Sequence, residues 1–281
     1  MGQIIFRKLF LLSYIVLLYF RAAPQSPKHT TKCVNTTCHP SFATPKREMI
    51  LDYRVFKAPY NKILHLGVKR YNDIEHFCTV YFITDNLLIT TRHCINNNDL
   101  INYIELCLPS IKKDKWIKLD SNEYKIYYYS ENFSSRDKDI ALIKITDKQK
   151  LKLLYEGNFE IADSVLWIKK NMIYQVKTAG FPCDKFSINS RSFDTLVVSS
   201  TNTDSIIIND NQTLMGYAMC SCPGDSGAPI WIQTDEHYYI IATSQGSAPG
   251  VSGFEDMNSN VGVLINDNIK NWIKSISVSS P

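Results

Sequence analysis

The octet Cys222-Pro223-Gly224-Asp225-Ser226-Gly227-Ala228-Pro229 sets a serine between two glycines, with an aspartate just before it. Glycines suit a tight turn in which backbone N–H groups face a reacting atom. Such a turn presents the Ser226 hydroxyl and aims the N–H groups of Gly224 and Ser226 at one point. That point would serve as an oxyanion hole, often a large contribution to acyl-transfer catalysis. An ordinary Gly/Asp/Ser loop has the same composition. The nucleophilic reading therefore needs a base and an acid elsewhere in the chain.

A serine hydroxyl is a weak nucleophile until a neighbouring base takes its proton. Of the six histidines, only His93 has a distinctive setting, Leu87-Leu88-Ile89-Thr90-Thr91-Arg92-His93-Cys94. An apolar, strand-like run ends there and delivers the imidazole to a strand terminus. His65, within Ile63-Leu64-His65-Leu66, reads as an outward-facing strand residue. A third group should be a carboxylate that fixes the imidazole tautomer. Asp139 heads the apolar run Ile140-Ala141-Leu142-Ile143, with Asp137 as its local competitor.

Thr91-Arg92-His93-Cys94, Asp139-Ile140-Ala141-Leu142 and Gly224-Asp225-Ser226-Gly227 resemble, in that order, the histidine, aspartate and serine motifs of the chymotrypsin-like serine peptidases. The motif residues lie 46 and 87 positions apart, separations of the size that family shows. Asp52-Tyr53-Arg54, Gly180-Phe181-Pro182-Cys183-Asp184-Lys185 and Gly227-Ala228-Pro229 resemble segments of its glutamyl-endopeptidase branch. The resemblance implies an all-β fold of two antiparallel six-stranded barrels with a C-terminal helix, and an active site in the cleft between them. It implies a serine endopeptidase acting on protein or peptide substrates through His93, Asp139 and Ser226, with no cofactor and no metal. A catalytically inactive homologue acting as a binding module is the competing reading, because fold alone never establishes activity.

The same resemblance puts the pocket floor at Cys220, with Ser221 beside it, and one wall on Thr243, Ser244 and Gly246. A trypsin-like preference for Lys or Arg needs an acid at that floor, and cysteine stands there. Glutamyl endopeptidases carry a histidine on the wall strand, where this chain has Thr243 or Ser244. The resemblance also implies a disulfide between Cys78 and Cys94. It further implies activation by an upstream protease at Pro45-Lys46-Arg47, after which the amine of Met49 or Ile50 would pair with Asp225.

These residues need a scaffold. From Ile50 onward, short apolar runs alternate with turn residues: 62–68, 77–83, 87–91, 101–108, 140–145, 174–179, 195–199, 205–208, 229–232 and 238–243. That density of short strands points to an all-β sandwich or barrel. One stretch differs. Residues 265–276 place Ile269, Trp272, Ile273 and Ile276 at helical spacing. The peptidase domain is read as 49–281, with a first barrel over 50–150 and a second over 160–264.

Composition bounds the rest. The chain has 281 residues and 44% hydrophobic content, enough for a substantial core. A net charge of +4 predicts no nucleic-acid partner, and Lys112-Lys113-Asp114-Lys115 reads as a solvated loop. Arg7 and Lys8 precede an apolar run over 9–20, which fits an export signal over 1–23 and is short for a membrane span. Residues 24–48 read as a linker or propeptide. Secretion is the expected destination, with anchoring by the same apolar run as the alternative. Eight cysteines fit an oxidising compartment. The partners of Cys33, Cys38, Cys107, Cys183, Cys220 and Cys222 cannot be chosen from sequence. Asn35, Asn132 and Asn211 begin glycosylation sequons.

Overall fold

The architecture comes from a computed structural model, which describes residues 46–50, 52–71, 75–96, 100–109, 116–131, 135–161, 174–182, 196–202, 206–219, 221–234, 237–247 and 260–278. Residues 1–23, expected to be an export segment, most of the expected 24–48 linker, the expected loop over 112–115, Asn35, Asn132 and Cys33, Cys38, Cys183 and Cys220 lie outside these residues. Asn211 is exposed, in the turn between two strands.

A short strand, β1 (Lys46–Met49), precedes the seven strands of the first sheet. These are β2 (Ile63–Arg70), β3 (Glu75–Phe82), β4 (Leu87–Thr90), β5 (Ile101–Cys107), β6 (Trp116–Asp120), β7 (Tyr124–Tyr128) and β8 (Ala141–Ile145). Their antiparallel order is β6-β5-β2-β3-β4-β8-β7. A helix, α1 (Lys148–Leu154), follows, started by the Asp147 carboxylate, which accepts from the Gln149 and Lys150 amides.

The second sheet has nine strands: β1 with β9 (Glu160–Ile161), β10 (Gln175–Gly180), β11 (Val197–Asn202), β12 (Ile206–Ile208), β13 (Leu214–Tyr217), β14 (Pro229–Thr234), β15 (His237–Ser247) and β16 (Asn260–Leu264). All its pairings are antiparallel except that of β9 with β15. The resemblance implies six strands to each sheet. Among the described residues the first sheet has seven strands, and the nine of the second include two short pieces, β1 on β11 and the two-residue β9 on β15.

The period-two alternation of strands divides each run between two cores. In β4, Leu88 joins Leu64, Leu66, Val80, Leu106 and Ile143 inside the first sheet. Its neighbours Leu87 and Ile89 join Tyr81, Leu142, Phe159, Trp231, Ile240 and Ile269, which come from both sheets, the residue before β9 and the C-terminal helix. Burial on both faces is why these strands read as unbroken apolar runs. Val176, Met215, Tyr217, Ile230 and Ile241 fill the second sheet.

The C-terminal helix, α2 (Asp267–Val278), buries Ile269 and Ile273 as its spacing predicts. The Asn266 side chain accepts from the Ile269 amide at its start. Near its end, buried Lys144 of β8 donates to the Ile276 carbonyl at 3.1 Å. That bond ties the helix to the strand that follows Asp139.

His65 departs from its outward-facing expectation, being only 2% exposed. Its ring stacks on Phe181 with centroids 4.8 Å apart and lies against Trp116 and Phe77. Those partners come from β6, β3 and the residue that follows β10, so the local sequence around His65 carries no sign of them.

Candidate active site

β4 ends at Thr90, and the chain turns through a 3-10 turn over Arg92–Cys94. Two anchors hold that turn around His93. Arg92 is buried and donates to the carbonyls of Ser130 and Glu131, while its guanidinium lies 4.6 Å over the Tyr128 ring. The Tyr128 hydroxyl donates to the Ile95 carbonyl at 2.7 Å. The residues flanking His93 are thus fastened to β7 and to the loop that follows it. Next to His93, Cys94 forms the expected disulfide with Cys78.

Asp139 closes a second 3-10 turn, Arg136–Lys138, just before β8. Because β4 pairs with β8, with Thr90 opposite Ala141, the two turns meet. The His93 amide donates to Asp139 Oδ1 at 2.9 Å, and His93 Nδ1 lies 2.7 Å from Asp139 Oδ2. The carboxylate side chain is 14% exposed and the imidazole 37%. A carboxylate at Nδ1 favours the tautomer that carries its proton there, which leaves Nε2 as an acceptor. Asp137, the local competitor, instead accepts from the Ser135 hydroxyl.

Ser226 sits on the turn between β13 and β14, where Gly224 and Gly227 both have positive φ. Gly227 has a second reason to lack a side chain. A Cβ there would stand 2.1 Å from the Thr79 carbonyl oxygen and 2.3 Å from Thr90 Oγ1. Among the described residues, neither the Gly224 nor the Ser226 amide has an acceptor, so both donors remain available. Asp225 is buried, and its Oδ2 accepts from the Cys222 amide at 2.9 Å. Cys222 is disulfide-bonded.

One residue of the first sheet secures this turn. The Thr79 amide donates to the Ser226 carbonyl at 2.8 Å, and its hydroxyl donates to the Gly224 carbonyl at 2.8 Å. The same hydroxyl accepts from the Phe181 amide at 3.1 Å. The Ser226 carbonyl also lies 3.9 Å from Cys94 Sγ, which brings the serine turn beside the histidine turn. In this arrangement Ser226 Oγ donates to the Gln245 carbonyl at 3.3 Å.

The expected wall strand is β15. Thr243 and Ser244 are fully buried, and their hydroxyls face inward. Thr243 Oγ1 bonds the Tyr81 hydroxyl at 2.8 Å, and Ser244 Oγ bonds the Tyr217 hydroxyl at 2.6 Å. Burial pushes both phenols above the ordinary tyrosine range. Ser221 is partly buried, and Cys220 lies outside the described residues. Gly246 has φ +103° and borders open space, beside an irregularity in the β15–β16 pairing. The segment named for cleavage is edge strand β1, and the Ile50 amide donates to the Leu196 carbonyl. Asp52 caps a 3-10 turn by accepting from the Arg54 amide, and its carboxylate pairs with the Arg54 side chain.

Thr79, Arg92, Tyr81 and Tyr217 support the site without standing out in the sequence. Arg92 is marked only by adjacency to His93, and Thr79 only by adjacency to Cys78.

The family model described as Trypsin matches residues 57–273. No curated protein matches the chain. Among solved structures, a Glu endopeptidase in complex with MPD is 16% identical, covers 85% of this chain and 100% of its own, and has a TM-score of 0.63. The protease Anisep from Arthrobacter nicotinovorans is 14% identical, with 79% and 98% coverage and a TM-score of 0.58. An inactivated protease paralogue of the scabies mite is 13% identical, with 80% and 98% coverage and a TM-score of 0.57. At these identities the likeness speaks for the fold alone.

Proposed function

The chain belongs to the trypsin family of serine endopeptidases, and from that premise we propose that it hydrolyses peptide bonds through His93, Asp139 and Ser226. The observation that carries this reading is the His93–Asp139 pair, bonded at 2.7 Å, with the Ser226 turn fastened alongside through Thr79. His93 Nε2 takes the Ser226 proton as Oγ attacks a substrate carbonyl. For this the hydroxyl turns away from the Gln245 carbonyl, a rearrangement in keeping with catalytic bonds that tighten only when substrate binds. Asp139 holds the imidazole in register and stabilises the imidazolium. The Gly224 and Ser226 amides receive the oxyanion. His93 then protonates the leaving amine, and water releases the acyl group from Ser226.

The substrate is a polypeptide lying across the cleft. With the Thr243 and Ser244 hydroxyls turned toward tyrosines and no acid expected at position 220, a small or polar residue before the cut fits better than Lys or Arg. Export by residues 1–23, a 24–48 linker cut near Arg47 by an activating protease, and a peptidase domain over 49–281 complete the proposal. No helix among the described residues is long and apolar enough to cross a membrane.

A second reading is a non-catalytic homologue. It draws on the Ser226–Gln245 bond and on the fold shared with an inactivated paralogue. A fluorophosphonate probe separates the two. Labelling of the native protein that disappears in Ser226→Ala, with peptide turnover falling to background, is the expected result. Turnover that survives Ser226→Ala would end the assignment, and a native protein that never labels would favour the binding module.

A further inference from the structure

We propose that Arg70 reads an acidic side chain of the substrate on the leaving-group side of the scissile bond, an inference that rests on the peptidase reading above. The direction follows from what flanks Ser226. On one side its hydroxyl faces the Gln245 carbonyl of β15, and Gly246 next to it borders open space. The acyl half of a peptide lies there. On the other side the Ser226 carbonyl meets the Thr79 amide and Cys94 Sγ. The leaving half therefore passes over the Cys78–Cys94 bridge and the start of β3.

His76 occupies that start, two residues before Cys78. Its half-buried imidazole is held below the ordinary histidine range, first by burial, then by the charge of Arg70, then by that of His93. Arg70 is thus the foremost charge acting on His76, and it stands on the neighbouring strand β2. Arg70 ends β2, which pairs with β3 so that Val68 stands opposite His76. Arg70 Nη2 donates to the carbonyl of Asn96, three residues after His93, at 3.2 Å. The guanidinium is thereby tied to the segment that follows the histidine turn.

No carboxylate among the described residues pairs with Arg70, and its buried Nε has no acceptor. Among the described residues, one neutral carbonyl, that of Asn96, is its hydrogen-bonding partner. A partly desolvated cation with no counter-anion among the described residues is electrostatically unfavourable. A carboxylate would relieve it, and a guanidinium fork is well shaped to receive one. The substrates favoured are peptides carrying Asp or Glu within the first three residues after the cut.

Internally quenched peptides that differ only in Asp, Ala or Lys at those three positions test this. The expected kcat/KM is about fivefold higher with Asp than with Ala, carried mostly by KM and reduced at high salt. In Arg70→Gln the Asp/Ala ratio falls to near one, and in Arg70→Glu the order inverts in favour of Lys. Ratios taken within one variant cancel differences in its folded fraction. A native enzyme indifferent to charge, or a preference that survives Arg70→Gln, overturns the proposal. Fluorophosphonate labelling of Ser226 is read in parallel. Labelling and turnover with a flat ratio overturn this inference alone, whereas absence of labelling and turnover takes the peptidase reading down with it.

Discussion

Set beside the two turns that carry His93 and Asp139, the turn that carries Ser226 is held by different means. The first pair rises from adjacent strands of one sheet, β4 and β8, whose residues are buried throughout. Two direct bonds close it, and Arg92 and Tyr128 brace it from β7 and the loop behind. The serine turn is fixed largely from outside its own loop. Thr79 of the first sheet holds two of its carbonyls, and the Ser244 carbonyl of β15 accepts from the Gly227 amide. Asp139 and His93 are thus set within one sheet, while Ser226, the proposed nucleophile, is set by the join between two. Damage to that join should uncouple the serine while sparing the pair.

Gly227→Ala is the harshest way to break this contrast. The new Cβ would overlap a backbone oxygen and a hydroxyl of the first sheet, at a φ of +86° that alanine rarely adopts. A loss of about 3 kcal/mol or more is expected in chemical denaturation, because neither obstacle is a flexible side-chain end. Labelling of Ser226 should vanish in whatever fraction remains folded. Native stability in this variant would mean that the serine turn is not clamped by Thr79 and Thr90.

Thr79→Val is gentler. It keeps shape and the amide bond to Ser226 but removes the hydroxyl shared by Gly224 and Phe181. Two buried groups then lose a partner, which costs about 2 kcal/mol. The acylation rate of Ser226 should fall, while the downfield imidazole proton of the His93–Asp139 pair persists in NMR spectra. Thr79→Ser should restore the rate, and equal rates in the valine and native proteins would show that the hydroxyl bridge does not position the nucleophile.

The same contrast governs what the sequence makes legible. β4 and β8 announce themselves because both faces are buried and the apolar run is local. The helix over Asp267–Val278 follows from the spacing of Ile269 and Ile273. β6, β13 and β16 mix polar and apolar residues or contain glycine, so their strand character depends on neighbours in the sheet. His65 is buried by Trp116 and Phe181, which are distant in the chain. Thr243 and Ser244 turn inward because Tyr81 and Tyr217 wait there, and no pattern around Thr243 names those tyrosines. The contacts that hold the first pair lie within one sheet and its turns, although they join residues 16 to 46 positions apart, whereas the role of Thr79 exists only once two sheets meet.

The corner around His76 offers the finest adjustment of the comparison, through pH. Burial, Arg70 and His93 all lower the His76 pKa in the folded protein. The unfolded chain therefore binds this proton more readily than the native one as pH falls below the ordinary histidine value of about 6.5. Stability linked to His76 is complete above that value and is lost progressively below it, with unfolding free energy rising as pH rises through the window. His76→Gln should flatten that part of the stability–pH curve. The effect should be the smallest of those described, since the imidazole is only half-buried and its charge is shared with solvent. Because Arg70 is one of the groups depressing His76, Arg70→Gln should also move the histidine titration seen by NMR upward. A His76 titration that ignores Arg70→Gln would separate the two side chains and remove the leaving-side cation from the neighbourhood of the serine.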